Sequence, residues 1–253
     1  MMKGRLYLMP NTLDFGVEGA AVDLQEVLPL HVIRIAARLT HWAAENAKTT
    51  RAFLKRVDAI QPLAQPLQAI QITELPRPPK GRADAASPLE WSRLLTPALD
   101  GQDLGLISEA GLPAIADPGA LLVAAAHAES IEVISLSGPS SLLMALAASG
   151  LNGQSFAFVG YVPAEAQART ARIRELESLS LKLGQTQLMI ETPYRNGALL
   201  QALLATLKPG THLSVSCGLS LADGFTRSAT VAEWRAQKQE LPDKVPAVFS
   251  ILA

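Results

Sequence analysis

Two α/β domains with mostly parallel sheets, the second carrying an antiparallel edge, are the fold class this 253-residue sequence predicts. Three observations support it. Short apolar runs alternate with helix-length segments, the pattern of strand–crossover–strand units. The long middle turn from Ser108 to Gly119 crowds two sets of turn residues together and suggests a boundary, with domains at 1–113 and 114–253. Strand-like segments near the C-terminus follow one another with few helices between them, so they pair antiparallel.

Element by element, Leu6–Met9 is a first strand, closed by Pro10-Asn11. The apolar run Leu30–Ala36 reads as the next strand-like stretch, followed by a long helical pattern from about Arg38 to Val57. Gln68–Leu75 alternates at period two and reads as a strand. The segment 76–82 (PRPPKGR) suits neither helix nor central strand. A helix then runs from about Pro88 to Leu99, with Ser87 at its N-cap. Leu104–Ser108 is a buried strand, and Asp117-Pro118 opens a helix to about Ala128 with Asp117 as its cap. Ile131–Leu136 is a strand, and Ser137–Ser141 turns into a helix ending near Gly150. Phe156–Tyr161 is a strand, followed by a charged helix over 164–183, a strand at Gln187–Ile190 and a helix at Asn196–Leu207. His212–Ser216, Phe225–Val231 and Val245–Leu252 complete the strands.

Composition excludes several classes. An apolar share of 49% with 18% charged residues excludes a disordered chain. One Cys excludes an internal disulfide and points to a reducing, cytoplasmic setting. The most apolar interior stretch, 120–126, is far shorter than the roughly 20 residues that span a bilayer, so no membrane association is expected. Twenty-two Lys and Arg against 23 Asp and Glu limit any nucleic-acid contact to a local patch. His31, His41, His127 and His212 are scattered, with no metal-binding spacing, so no metal is expected. The first strand leads into Met9-Pro10-Asn11-Thr12 where a dinucleotide fold has G-x-G-x-x-G, and there is no P-loop.

Three turns at strand C-termini are left, where open α/β sheets bind ligands. The first, Ser108–Gly119, is long for a strand-to-helix connection and rich in small residues that expose backbone to a ligand. In the second, Ser137–Leu142, Ser140 and Ser141 stand at a helix start. A nucleophile elbow is disfavoured because Leu142 occupies the position needing Gly. The third is Glu191-Thr192-Pro193-Tyr194-Arg195, whose Glu and Arg can serve a cleft or pair with each other.

These turns, in this order, resemble the tetrapyrrole-methylase-like methyltransferases. The resemblance is narrower to the branch containing the small-subunit ribosomal RNA cytidine 2′-O-methyltransferase. Residues 107–119 (ISEAGLPAIADPG) are similar to I-S-D-A-G-x-P-x-I-S-D-P-G; 136–141 (LSGPSS) to L-P-G-x-S-A; 158–163 (FVGYVP) to F-x-G-F-L-P; 191–195 (ETPYR) to E-S-P-H-R; and 44–51 (AENAKTTR) to A-E-D-T-R-x-T-R. The resemblance implies S-adenosylmethionine bound in a cleft between two domains of a homodimer. It implies Ala110, Gly111, Leu112, Pro113 and Ile115 as cofactor contacts, with Ser140 and Ser141 at the ribose or amino-acid end and Met189 and Ile190 on the other wall. Glu45, Glu109 and Glu191 become candidate proton acceptors. Arg51, Arg77, Lys80, Arg82 and Arg195 become candidate substrate contacts, and ribosomal RNA or the small ribosomal subunit the expected partner. Departures stand at Asn46 and Lys48, where the branch has Asp and Arg, and at Ser216–Leu221, where A-R-E-L-T-K is lost. A methyltransferase of a tetrapyrrole or other small metabolite, and an inactive binding protein of the same fold, therefore remain as alternatives.

Overall fold

A computed structural model describes residues 2–14, 22–76, 88–237 and 240–253. Among them, the strands form two five-stranded sheets, one in each of two compact units that meet in sequence at Pro139/Ser140.

The first unit runs β1 (Leu6–Met9), α1 (Leu24–Val27), α2 (Leu30–Arg38), β2 (His41–Ala44), α3 (Ala47–Asp58), β3 (Gln71–Glu74), α4 (Pro88–Leu94), α5 (Thr96–Leu99), β4 (Leu104–Ile107), α6 (Ala120–Ala128) and β5 (Val133–Ser135). Its sheet has the order β3-β2-β4-β1-β5, parallel throughout. Period-two alternation sends Tyr7 and Met9 to one face, against Val32, Ile33, Phe53 and Leu54 of α2 and α3. Leu6, Leu104 and Leu106 face the other way, against Trp91, Leu95, Leu122 and Ala126. Both faces are covered, which is why β4 (LGLI) is apolar and buried at every position.

Four early expectations change. The run at 30–36 is helix α2, because His31, Arg34 and Arg38 recur three and four apart and form its exposed stripe while Val32, Ile33, Ala36 and Ala37 are buried. The strand lies inside the expected helix 38–57, at His41-Trp42-Ala43-Ala44. Its place between β3 and β4 overrides alanine's helical preference. Asn46 then caps α3, its Oδ1 accepting from Lys48 N (2.9 Å) and Thr49 N (3.3 Å). Asn caps as well as Asp does, so the departure at Asn46 preserves this task. The boundary also moves from Pro113/Ala114 to Pro139/Ser140, because β5 pairs with β1 (Leu6 opposite Val133) and Leu136 N donates to Leu8 O. The helix at 88–99 is divided at Leu95, and its expected cap Ser87 lies outside the described residues.

The second unit runs α7 (Ser141–Ser149), β6 (Phe156–Tyr161), α8 (Ala166–Leu183), β7 (Thr186–Ile190), α9 (Asn196–Thr206), β8 (His212–Cys217), β9 (Phe225–Thr230), α10 (Val231–Ala236) and β10 (Ala247–Leu252). Its sheet is ordered β6-β7-β10-β8-β9. β6 and β7 are parallel, and the antiparallel portion comprises β8, β9 and β10. One face packs Met189, Val215, Phe249 and Ile251 against α8, α9 and Trp234 of α10. The other packs Leu188 and Val248 against Leu142, Ala145 and Leu146 of α7. No helix of the described residues is long and apolar enough to cross a membrane.

Candidate functional site

Because the first sheet is parallel, the C-terminal ends of its strands share one edge, where ligands of α/β folds bind. The Ser108–Gly119 turn sits there. Asn11, just past β1, ties it down. Its backbone N–H donates to Gly111 O (2.8 Å), and its Nδ2 donates to Glu109 O (3.0 Å) and Ser108 O (3.3 Å). The Asn11 Oδ1 accepts from Thr12 N (2.9 Å). This buried anchor was not foreseen, since Pro10-Asn11 reads as an ordinary strand stop.

Gly111 (φ 65°), Ala114 (φ 66°), Ala116 (φ 63°) and Gly119 (φ 130°) all lie at positive φ. Two alanines there store about 1–3 kcal/mol each, strain that clusters at ligand clamps. Gly119, not Asp117, holds the N-cap position of α6, and no side chain caps that helix. The neighbouring turn is close-packed: a Cβ on Gly138 would sit 2.2 Å from the Pro10 Cβ.

Released from capping, Asp117 joins two other carboxylates. Glu45 N donates to Ile107 O (3.0 Å), and Glu45 Oε2 accepts from Glu109 N (3.0 Å), joining the ends of β2 and β4. Burial, then the charges of Glu45 and Glu109, push the Asp117 carboxyl up to about 7; the Ser108 hydroxyl offsets part of this. Three acids in such proximity do not all ionise easily. The sequence signal for Asp117 was its place in the motif, which the plausible Asp-Pro helix start obscured. Among the described residues, no group of three His, Cys, Asp or Glu is arranged to hold a metal ion.

Of the expected cofactor contacts, Gly111 and Pro113 are buried, Ala110 and Leu112 half-buried, and Ile115 exposed. Leu112, Pro113, Ala114 and Ile115 line a largely apolar concavity of about 280 Å³ with Leu8 and Val123. That is close to the lower limit of ligand sites, roughly 300 Å³, and suits one part of a larger ligand.

In the second unit, Ser140 is the N-cap residue of α7 without a side-chain capping bond, and Ser141 follows it. Ile190, at the end of β7, packs against the cluster containing Leu142. Met189 departs from expectation: its side chain is fully buried in the core, so only its backbone can face a ligand. Glu191 is not at the surface. Its side chain is 3% exposed, pairs with Arg195 Nη2 (2.9 Å), and accepts from Thr192 N (2.8 Å). The pair thus commits two groups expected to act separately. Arg51 lies exposed on α3, while Arg77, Lys80 and Arg82 lie outside the described residues.

The fold defined by these units is that of the tetrapyrrole methyltransferases. The crystal structure of uroporphyrin-III-C-methyltransferase from Thermus thermophilus superposes with a TM-score of 0.54, covering 99% of this chain and 94% of that one at 18% identity. That of the methyltransferase CobJ gives 0.53, covering 98% and 94% at 13% identity. More particularly, the chain is similar to proteins named ribosomal RNA small subunit methyltransferase I, which bears out the motif resemblance. It is 46% identical to that of Xylella fastidiosa over 84 residues (33% of this chain, 31% of the relative) and 37% identical to that of Vibrio cholerae over 114 residues (45% and 38%). With the Halalkalibacterium halodurans protein it shares 29% identity over 213 residues (84% and 63%). The chain thus spans less than two thirds of the length of these curated relatives. No protein-family model matches it.

Proposed function

We propose that this chain is an S-adenosylmethionine-dependent methyltransferase acting on small-subunit ribosomal RNA, at the ribose 2′-oxygen of a cytidine. The observation that carries this reading is the Ser108–Gly119 turn. The stretch whose residues resemble the relatives' motif is also strained, anchored by Asn11, and placed beside three carboxylates at the ligand-binding edge. The donor set fits the cofactor: main-chain groups of residues 110–113 and an apolar wall for the adenosyl part, and carboxylates for a cationic sulfonium.

When bound, S-adenosylmethionine supplies an electrophilic methyl group. The protein's part is alignment and proximity. Ala110, Gly111, Leu112, Pro113 and Ile115 hold one end. Ser140 and Ser141, with Ile190 and the backbone of Met189, are the second unit's candidate contacts to the same cofactor. The acceptor hydroxyl gives its proton to the Glu45, Glu109 and Asp117 group, where a carboxyl near 7 is matched to neutral pH. Glu191 keeps Arg195 in place, and the substrate contacts are assigned to Arg51, Arg77, Lys80 and Arg82.

The working form is a homodimer in the cytoplasm. Leu143 and Met144 of α7, and separately Phe156 and Phe158 of β6, are exposed apolar side chains of the kind a second copy would cover. Sedimentation at micromolar concentration checks it.

A tetrapyrrole or other small-metabolite acceptor is the second reading, favoured by the net charge of −1. Titration calorimetry with S-adenosylmethionine and S-adenosylhomocysteine tests the cofactor, and absence of binding rejects the proposal. Ribosomal RNA methylation maps with and without the gene test the acceptor. Cofactor binding with an unchanged map favours the metabolite, and neither result leaves the inactive binding protein.

A further inference from the structure

Helix α3 shows Lys48, Arg51 and Lys55 on its solvent side, all exposed, with Thr50, Phe53, Leu54 and Val57 buried opposite. Spacings of three and four residues put the cations in one row. At 1.5 Å per residue the row is about 10 Å long. Its direction is set by the sheet. α3 starts at the ligand-binding edge, where Ala47 N donates to Glu74 Oε1 (2.9 Å) and Glu45 accepts from Glu109 N (3.0 Å). Lys48 therefore lies on the turn of α3 nearest that edge and Lys55 about two turns away. Arg56 on the same helix is otherwise committed: it pairs with Asp14 (3.4 Å) and donates to Thr12 Oγ1 and Val22 O. Acidic groups adjoin the row at Glu45, Glu74 and Asp58, with Glu74 accepting from Ala47 N and Asp58 from Leu63 N (3.1 Å). In a chain of net charge −1, three exposed cations within about two helical turns form a local patch of the kind a polyanion recognises.

We propose that Lys48, Arg51 and Lys55 form a track for the sugar–phosphate backbone of RNA, leading its acceptor ribose toward the C-terminal edge of the first sheet. This rests on the RNA reading given above. Arg51 presents a planar fork for one phosphate, and the two lysines act as point charges for its neighbours. Such contacts position the strand without reading its sequence.

The test is filter binding of protein-free bacterial small-subunit ribosomal RNA between 50 and 200 mM salt. The variant Lys48→Gln/Arg51→Gln/Lys55→Gln is compared with Arg174→Gln/Lys182→Gln/Lys208→Gln, which removes equal charge from exposed positions of the second unit. Each lost single-strand phosphate contact lowers the slope of log K against log salt by about 0.7, so the track variant should lose about 2 in slope and about a hundredfold in affinity at 0.1 M salt. The control should stay within about twofold of wild type, and calorimetry should show cofactor binding retained by both variants. Equal slopes for track variant and wild type, or equal losses in the control, overturn the track while leaving the RNA reading intact. So does a variant that binds naked RNA normally but not whole small subunits, which would make α3 a protein-docking face. A wild type that binds the cofactor but no RNA sinks the RNA reading, and the track with it.

Discussion

Asp117→Asn deletes a carboxyl held at about 7, against an ordinary 3.8. The native state keeps this proton over a range where the unfolded chain has released it. Below about 4 both states are protonated and the group contributes nothing. Between about 4 and 7 the unfolded state binds fewer protons, so stability falls as pH rises, and above 7 the full penalty remains. A difference of about three in pKa, at 1.36 kcal/mol each, sets an upper limit of about 4 kcal/mol. Asp117 is only partly buried, and solvent screening reduces this to about 2 kcal/mol. Asn keeps the size and polarity and never ionises. Urea unfolding followed by tryptophan fluorescence should therefore find variant and wild type nearly equal at pH 4, with the variant more stable by about 2 kcal/mol at pH 8. Trp42 and Trp91 report the first unit and Trp234 the second, so two transitions are to be fitted separately. A stability difference that is the same at both pH values, or that favours wild type at pH 8, refutes the three-carboxylate account. The same variant should transfer methyl groups slowly despite its stability, the signature of strain kept for function.

Asn11→Ala removes the anchor of the Ser108–Gly119 turn and leaves two carbonyls short of a donor; a loss of about 2–3 kcal/mol is expected, with cofactor affinity falling in calorimetry. Gly138→Ala forces a Cβ against Pro10 and should cost about 1–3 kcal/mol, read as a lowered first-unit transition. Glu191→Gln leaves Arg195 without its counter-charge; a cost of about 2–3 kcal/mol in the second-unit transition is expected, somewhat below that of a fully buried pair because Arg195 is 27% exposed. S-adenosylhomocysteine at a hundred times its Kd should stabilise the protein by about 2.7 kcal/mol in the same assay, and no shift would count against the cofactor site.

Residue order alone already contained most of the strands and the helical segments from α4 to α9, because period-two and period-3.6 patterns are local. Thus 104–107, 156–161 and 186–190 pair where alternation and apolar runs place them. Helix α10 was missed, although Thr230 and Glu233 form a capping box whose spacing was readable. The motif turns were legible too, through their residue types. What packing decided is who stands next to whom. Trp42-Ala43-Ala44 is a strand only because β3 and β4 flank it, and β5 belongs to the first sheet only because β1 accepts it. Asp117 resembles a helix cap along the chain. Its altered acidity comes first from burial and then from Glu45 and Glu109, and Glu45 is 72 residues away in sequence but held near by parallel pairing of β2 with β4. Local pattern is set by neighbours on the chain. Charge coupling depends on distance through space and on exclusion of water, which only the assembled sheet supplies.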